Sequence, residues 1–145
     1  MQGLYEIKFH SANRNALSPE GQKTMARLFT EASADPTVKC VLLHGGKYYG
    51  SGNNIKVLID WVTEGGEGMR NYATNGVGGS MVAFLKALKN CEKPVVAVVQ
   101  GGAHGIHFTP LPLCDFVYCT KDAFFSTPFM NSFQSPEGMS TLSFP

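Results

Sequence analysis

Apolar and polar residues alternate at the start of the chain and later give way to continuous apolar segments. Tyr5, Ile7 and Phe9 alternate with polar residues, which predicts a strand with one buried face. The segments "VKCVLLHGG" and "KPVVAVVQGGAHG" contain continuous apolar runs and end in glycine-rich turns. Such runs are typical of strands that are covered on both faces.

Helical segments are expected between these strands. Ser18 begins the sequence "SPE", which supplies a capping hydroxyl, a proline at the first helical position and an acid in the first turn. Residues 56–63 and 79–90 also show a helical pattern of apolar positions. Two short strands are expected at 114–120 and 123–127. Strands that alternate with helices indicate an α/β fold with a largely parallel sheet.

The composition is that of a globular protein with little net charge. The chain has 145 residues, of which 43% are apolar and 16% charged, so we expect one domain over residues 1–145. A net charge of +1 does not provide the dense basic field that nucleic acid or an anionic membrane surface requires. No apolar run approaches the roughly 18 residues that span a bilayer, so we expect no membrane insertion.

The cysteines and histidines do not form a disulfide framework or a complete metal-binding motif. The four cysteines include no CxxC pair and lie in or beside apolar segments: Cys40, Cys91, Cys114 and Cys119. We therefore expect reduced core thiols in an intracellular compartment. His104 and His107 have a spacing that could suit a metal, but no cysteine or carboxylate is placed to complete the set. Partly buried histidines beside a turn are the simpler interpretation, and we expect no metal site.

Two glycine-rich turns follow two of the predicted strands. They are "YYGSGNNI", at 48–55, and "QGGAHGIHF", at 100–108. Ligands bind at the carboxyl ends of parallel strands, and glycines let the backbone approach a ligand closely. If a helix begins after each turn, two main-chain N–H groups could point at one oxygen atom and form an oxyanion hole. The G-x-G-x-x-G spacing of a dinucleotide site is absent.

Glu137 is the only formally charged side chain between residues 123 and 145. It lies in a Pro-Glu-Gly turn within an apolar and hydroxyl-rich segment, without a neighbouring Lys or Arg. An unpaired carboxylate among apolar residues is expected to have a raised pKa, because burial disfavours the charged form. The sequence alone leaves open whether Glu137 is a catalytic base or an exposed turn residue.

Five segments of the chain occur in the order in which the crotonase superfamily has them. They are "SANRNALS", "SGNNI", "KPVVAVVQGGAHGI", "PLCDFVYCTKDAFFSTPF" and "QSPEGMSTLSFP". On these segments the chain resembles that superfamily, the enoyl-CoA hydratase/isomerase family, and is most similar to its Δ3,Δ2-enoyl-CoA isomerase branch. The resemblance implies an α/β crotonase-like spiral of ββα units that assembles into a trimer or larger. It also implies that residues 1–145 are the N-terminal core of a crotonase-like domain, without the family's C-terminal helical region.

The resemblance assigns the catalytic residues by position. The two oxyanion N–H groups would be those of Asn53 and Ile106, where the main chain donates and the side chain is expected to matter little. The two glutamates of the hydratase branch would fall at Thr109 and Phe129, and because neither is an acid we expect no water addition. The single carboxylate of the isomerase branch would be Glu137.

One carboxylate is sufficient for the reaction that the resemblance implies. Moving a double bond from C3–C4 to C2–C3 of an acyl thioester requires removal of a proton at C2 and return of a proton at C4. Two preorganised N–H donors would stabilise the enolate that forms between these steps. We therefore expect an enzyme of fatty-acid β-oxidation that converts 3-enoyl-CoA into trans-2-enoyl-CoA.

The resemblance also implies where the acyl-CoA substrate binds. Basic side chains would lie near the coenzyme A phosphates, and the backbones of "NAL" and "SGNNI" would cradle the adenine and the pantetheine. The expected binding residues are Arg14, Ala16, Gly52, Asn53, Lys56 and Gly105. Coenzyme A enters as part of the substrate, and no other cofactor is expected. The isomerase branch works in the mitochondrial matrix or the peroxisome, which are the compartments expected here.

Two features depart from the family pattern. Asn54 replaces the Asp that relatives commonly have after the first oxyanion residue. Pro110 and Pro112 lie where the family has a helix, and a proline beyond the first helical turn removes a hydrogen bond and clashes with the preceding turn. We therefore predict that this helix is short or bent.

Two other functions are compatible with the sequence. The chain could be a catalytically inactive crotonase-fold subunit that serves in binding or assembly. It could also carry out a different thioester reaction, such as hydrolysis, in the same oxyanion hole. That reaction would need a further nucleophile or base, for which His104, His107 and Ser51 are the candidates.

Overall fold

A sheet of four parallel strands forms the centre of the molecule. The computed structural model describes residues 2–132 and 134–144, without the side chains of Val77 and Ser132. The strands follow in the order β1 (Leu4–Lys8), β2 (Cys40–His44), β3 (Val95–Val99) and β5 (Phe116–Cys119). Each neighbouring pair is parallel, which confirms the predicted α/β fold with a parallel sheet.

A second, smaller sheet gives the fold its spiral form. β3 is followed by the short strand β4 (Gly102–His104), and β5 is followed by β6 (Phe124–Ser126). β4 and β6 pair in parallel with each other, and Gly50, which follows β2, makes a parallel bridge to Ala103 in β4. After each of β2, β3 and β5 in the large sheet, the chain therefore continues to a segment that pairs at the small sheet. This alternation is expected for a spiral of ββα units.

The helices between these strands are only partly those predicted from the sequence. The bounds are α1 (Ala12–Asn15), α2 (Pro19–Ala34), α3 (Ile55–Thr63), α4 (Gly66–Asn71), α5 (Val82–Lys89) and α6 (Ser140–Ser143). α2 begins as predicted, because the Ser18 side chain accepts a hydrogen bond from Gly21 N–H. α1 is a single irregular turn, in which Asn13 and Arg14 have left-handed φ values of 55° and 56°. Among the described residues, no helix is both long and apolar enough to cross a bilayer.

The helix predicted at 79–90 begins earlier and with a different geometry. A π-helix (Tyr72–Met81) leads directly into α5. Its i→i+5 hydrogen bonding makes a wider turn than an α-helix, and such turns frequently occur at functional sites. A Cβ on Gly78 would lie 2.6 Å from Ala73 O, and one on Gly79 would lie 2.7 Å from Thr74 O. Glycine therefore makes this close approach of successive turns possible.

One buried apolar cluster joins the large sheet to α2 and α5. The helices contribute Phe29 and Phe84, whose rings stack with centroids 6.2 Å apart. β2 and β3 are fully buried only at alternate positions, so the prediction that these strands are covered on both faces is wrong. β5 is exposed along its whole length. Cys119 is therefore an exposed free thiol rather than the predicted core residue, while Cys40, Cys91 and Cys114 are half-buried.

Most of the second glycine turn has regular secondary structure. Within 100–108 the chain forms β4 and then a single 3-10 turn (Gly105–His107). A further 3-10 turn (Leu111–Leu113) follows Pro110. These short turns stand where the family pattern has a helix, which confirms the effect predicted for the prolines.

Gly50 packs against the His107 ring, and a Cβ there would overlap the ring atoms. The ring cannot easily move aside, because its face is packed edge-on against Phe9, with centroids 4.6 Å apart. We predict that Gly50→Ala lowers the free energy of unfolding by about 1–3 kcal/mol, measured by urea denaturation. Gly66→Ala is the control, because a Cβ on Gly66 meets nothing within 4 Å. Equal stability of both variants would contradict the prediction.

Candidate active site

The first glycine turn holds one main-chain donor free. The N–H groups of Gly50, Ser51, Gly52 and Asn54 have acceptors, which are Gly102 O, Arg14 O, His107 Nδ1 and Leu17 O in that order. Asn53 N–H has no acceptor among the described residues. The parallel bridge between Leu17 and Asn53 uses Gly52 C=O and Asn54 N–H, so the Asn53 N–H points away from Leu17. The turn is thus fixed around one available donor.

The second glycine turn directs a main-chain donor at Glu137. Ile106 N–H donates to the Glu137 carboxylate, while Phe108 N–H bonds to Gly105 O. A Cβ on Gly105 would lie 3.4 Å from Glu137 Oε1 and 4.0 Å from Gly52 Cα. Because Gly105 lacks a side chain, a space remains between the carboxylate and the first turn.

His107 ties the two turns together. Gly52 N–H donates to His107 Nδ1 over 3.2 Å, and the His107 side chain is only 2% exposed. Burial lowers the pKa of His107 to about 3, so its imidazole is neutral and Nδ1 can accept this bond. The ring therefore fixes the turn that carries Asn53 relative to the turn that carries Ile106, and a general-base role for His107 is not supported.

Glu137 is half-buried and has no cationic partner. Asn53 Nδ2 lies 3.0 Å from Glu137 Oε2 and 3.3 Å from Oε1. None of the ion pairs among the described residues includes Glu137. Burial raises the pKa of Glu137, while the hydrogen bonds from Asn53 and Ile106 lower it and offset part of that rise. The predicted direction of this pKa is confirmed, but the expectation that the Asn53 side chain matters little is wrong.

An open cleft of about 590 Å³ lies over this carboxylate. One wall is the exposed apolar face of α3, formed by Ile55, Ile59 and Val62 at successive helical turns. Glu137 also lines a second cleft of about 660 Å³, whose apolar walls come from α4, the π-helix and α5. The carboxylate is therefore accessible from two apolar depressions, either of which could hold a hydrocarbon chain.

The predicted basic residues lie at the edge of the site. The exposed Arg14 guanidinium lies over the Tyr48 ring, 5.2 Å from its centroid, and Tyr48 Oη lies 2.9 Å from His104 Nε2. His104 lines the cleft, and its pKa is lowered by burial and then by the Arg14 charge. Arg14 is therefore close to one end of the cleft. Ala16 and Lys56 are outside the cleft lining, and Lys56 is exposed in the first turn of α3.

The sequence that builds this site matches a known protein family. The family model described as "Enoyl-CoA hydratase/isomerase" matches residues 1–143. The chain belongs to the enoyl-CoA hydratase/isomerase family. The crotonase-like spiral predicted from the resemblance is therefore confirmed.

Several named proteins are similar to this chain over nearly the whole length of the chain. The human protein "Enoyl-CoA delta isomerase 2" is 36% identical over 146 residues, which cover 99% of this chain and 36% of that protein. The mouse protein "Enoyl-CoA delta isomerase 3, peroxisomal" is 36% identical over 148 residues, covering 99% and 44%. "Chromodomain Y-like protein 2" of mouse is 30% identical over 139 residues, covering 96% and 27%. The chain thus spans less than half of each of these relatives.

Solved structures of the family have the same fold. An enoyl-CoA hydratase/isomerase from Pseudoalteromonas atlantica superposes with a TM-score of 0.81 at 31% identity, covering 98% of this chain and 53% of that one. An enoyl-CoA hydratase from Polaromonas sp. superposes with a TM-score of 0.87 at 25% identity, covering 99% and 55%. These superpositions include the strands and turns that build the cleft.

Thr109 and Phe129 are the positions at which the resemblance implies the two glutamates of the hydratase branch. Thr109 is fully buried, and a Cβ on Gly138 would overlap its side chain. Phe129 is buried in the cleft wall. The structure therefore has no carboxylate at either position, and Glu137 is the acid that lines the cleft.

The residues considered for thioester hydrolysis do not form a nucleophile–base pair. Ser51 Oγ donates to Asn13 O over 2.6 Å, and His104 Nε2 is bonded to Tyr48 Oη. His107 is buried behind the turns. Among the described hydrogen bonds, none joins Ser51 to either histidine, so this arrangement does not support a Ser–His mechanism.

Residues that the sequence patterns did not single out support the site. Asn54 caps α3, because its Oδ1 accepts a hydrogen bond from Lys56 N–H, so its amide replaces an Asp without loss of the cap. Gln22 and Ser80 are buried and connect to Asn53 through hydrogen bonds. A signal for Gln22 was present, because it shares the buried face of α2 with apolar residues.

The raised pKa of Glu137 predicts a pH-dependent stability difference between the wild type and Glu137→Gln. Because folding favours the protonated acid, the stability from this group is complete below the unfolded-state pKa and is lost as pH rises through the folded-state pKa. The variant should therefore gain stability relative to the wild type between pH 4 and pH 7. We expect about 1.4 kcal/mol for each unit by which folding raises the pKa, measured by denaturation at several pH values.

Glu92→Gln is the control for this measurement, because it removes the same charge from an exposed position outside the cleft. A stability difference that grows equally with pH in both variants would contradict the prediction. A difference that shrinks with rising pH in Glu137→Gln would also contradict it, since it would mean that folding lowers the pKa of this carboxyl.

Proposed function

We propose that the chain acts as an acyl-CoA double-bond isomerase, which converts 3-enoyl-CoA into trans-2-enoyl-CoA. The observation that carries the proposal is the position of Glu137, half-buried at the base of an apolar cleft and beside two oriented amide donors. The enoyl-CoA delta isomerases among the relatives support the same reaction class. The absence of an acid at Thr109 and Phe129 argues against the addition of water.

In the first step of the proposed reaction, Glu137 removes a proton from C2 of the bound acyl thioester. The negative charge spreads onto the thioester oxygen, which would accept hydrogen bonds from Asn53 N–H and Ile106 N–H. In this structure Ile106 N–H donates to Glu137 itself, a bond that lowers the pKa of the carboxyl. Transfer of this donor to the thioester oxygen would therefore make Glu137 a stronger base when the substrate is bound.

In the second step, the protonated Glu137 returns a proton at C4, and the double bond moves to C2–C3. Burial of the carboxyl stabilises the uncharged acid that forms between the two transfers. The apolar face of α3 would hold the acyl chain so that C2 and C4 both face the carboxyl group. Proton removal and return thus need a single side chain and no metal.

We propose that the coenzyme A portion of the substrate extends from the oxyanion site towards the Arg14 end of the cleft. Arg14 would contact a phosphate group there, and Lys56 is a second candidate because it is exposed on the adjoining helix. The backbone near Ala16, Gly52 and Gly105 would line the path of the pantetheine.

By resemblance to its relatives, the protein would assemble as a trimer or larger. It would work in the peroxisome or the mitochondrial matrix.

An inactive binding or assembly subunit is the second candidate function. It is favoured by the similarity to "Chromodomain Y-like protein 2", whose name does not describe an isomerase. Such a subunit would share the fold and could retain the cleft without turning over a substrate. Turnover of a 3-enoyl-CoA separates the two functions directly.

Glu137→Gln is the variant that tests the proposed reaction. Wild-type protein should convert a 3-enoyl-CoA into trans-2-enoyl-CoA without forming a 3-hydroxyacyl-CoA, as measured by chromatography of the products. The variant should lose about 10²–10⁴-fold in kcat, because it cannot take up the C2 proton. Activity that is unaffected by the substitution would rule out Glu137 as the base. No conversion by either protein would favour the binding subunit.

Gly105→Ala tests whether the space beside Glu137 is occupied by the reacting part of the substrate. Its methyl group would lie in this space, so we expect kcat/KM to fall by about tenfold or more. Gly46→Ala is the matched control, because Gly46 also has a positive φ, of 70° compared with 47° at Gly105, but lies away from the cleft. Both variants should lose about 1 kcal/mol of stability, and only Gly105→Ala should lose activity. Equal activity of the two variants would contradict the assignment.

A further inference from the structure

A series of buried hydrogen bonds leads from the π-helix to the carboxylate of Glu137. Ser80 Oγ lies 2.6 Å from Gln22 Oε1, and Gln22 Nε2 lies 2.9 Å from Asn53 Oδ1. Asn53 Nδ2 then lies 3.0 Å from Glu137 Oε2. Gln22 is 3% exposed and Ser80 is 1% exposed. The series therefore joins three separate segments of the chain to one cleft residue.

The donor and acceptor groups of this series have a fixed order. The Ser80 hydroxyl lies closer to Gln22 Oε1 than to Gly76 O, which is 3.0 Å away, and this difference indicates donation to Gln22. With its oxygen held by Ser80, Gln22 presents its NH₂ group to Asn53 Oδ1. Asn53 must then present its own NH₂ group to Glu137. A reversed Asn53 amide would place two oxygen atoms, each an acceptor, in contact.

We propose that Gln22 and Ser80 are positioning residues that hold the Asn53 side-chain amide with its NH₂ group facing the Glu137 carboxylate. The inference rests on the proposed function, because a positioned carboxylate matters for catalysis only where it transfers a proton. Neither residue touches the cleft floor itself, and each acts through Asn53. Their burial is explained by this role, since a buried polar group is costly unless its hydrogen bonds are made.

The orientation of the Asn53 side-chain amide affects the pKa of Glu137. Burial raises the pKa of Glu137, and the bonds from Asn53 and Ile106 are the interactions that lower it. Tyr72 of the π-helix is the titratable group whose own pKa is raised by the Glu137 charge, after burial. His104 lines the same cleft from β4. Because Asn53 supplies the side-chain bond that opposes burial, its reversal would favour the protonated acid.

The titration of Glu137 tests this proposal without any substrate. The 145-residue chain labelled with ¹³C at the glutamate carboxyls would be titrated by NMR, with the Glu137 resonance assigned from its loss in Glu137→Gln. Gln22→Glu should raise the pKa of Glu137 by about one to two units, because Asn53 would turn its NH₂ group towards the new carboxylate. Gln22→Leu and Ser80→Ala should each raise it by about half a unit, because the Asn53 orientation is then less restricted.

Gln2→Glu is the matched control, because it makes the same chemical change at an exposed position outside the cleft. A Glu137 pKa that moves no further in the Gln22 variants and Ser80→Ala than in this control would overturn the proposal. Ser80→Ala removes a single oxygen atom and decides the question if a Gln22 substitution prevents folding, as judged by circular dichroism.

The pH dependence of turnover provides the second measurement. If the wild type isomerises 3-enoyl-CoA, the acidic limb of its kcat/KM profile should move to higher pH in Gln22→Glu and Gln22→Leu by the shift seen in the titration. If the pKa of Glu137 shifts in the titration but the acidic limb of the kcat/KM profile does not, the hydrogen-bond series does not act on catalysis. Absence of wild-type turnover together with shifted titrations would refute the proposed function but leave the positioning role of Gln22 and Ser80 intact.

Discussion

Burial of one carboxylate without a cation is the constraint on which the site depends. A charged group that loses its water must be compensated, and in the described part of the chain Glu137 receives hydrogen bonds from Ile106 N–H and the Asn53 amide but no ion pair. This compensation is incomplete, so the pKa of the carboxyl stays raised. A lysine or arginine at the same place would stabilise the charge and weaken the base.

Close packing between two glycine turns makes this compensation possible. Gly50 leaves room for the His107 ring, and that ring accepts the Gly52 N–H from the opposite turn. Gly105 leaves room between Glu137 and the first turn. Side chains at these glycines would fill the space in which the two turns and the carboxylate meet. Rigid positioning of donors before the substrate binds is the usual source of electrostatic stabilisation in enzymes.

Membership of the enoyl-CoA hydratase/isomerase family fixes the architecture but not the chemistry, since one fold can host several reactions. In this chain the distinction lies in which part of the cleft carries an acid. Thr109 and Phe129 place an alcohol and a ring at the positions that the resemblance assigns to the hydratase glutamates, while the turn before α6 supplies Glu137. The apolar face of α3, which is exposed rather than packed into the core, is the other feature that suits an acyl substrate.

The sequence by itself determined the α/β class, the start of α2 at Ser18 and the isolation of the Glu137 carboxylate from basic residues along the chain, because local patterns encode strands, caps and isolated charges. Only the tertiary structure decided the π-helix, the exposure of β5 and the supports of the site. His107 reaches Gly52 across 55 positions of the chain, and Ser80 reaches Gln22 across 58. Contacts between such distant residues depend on how the elements pack, which periodicity within a single segment does not specify.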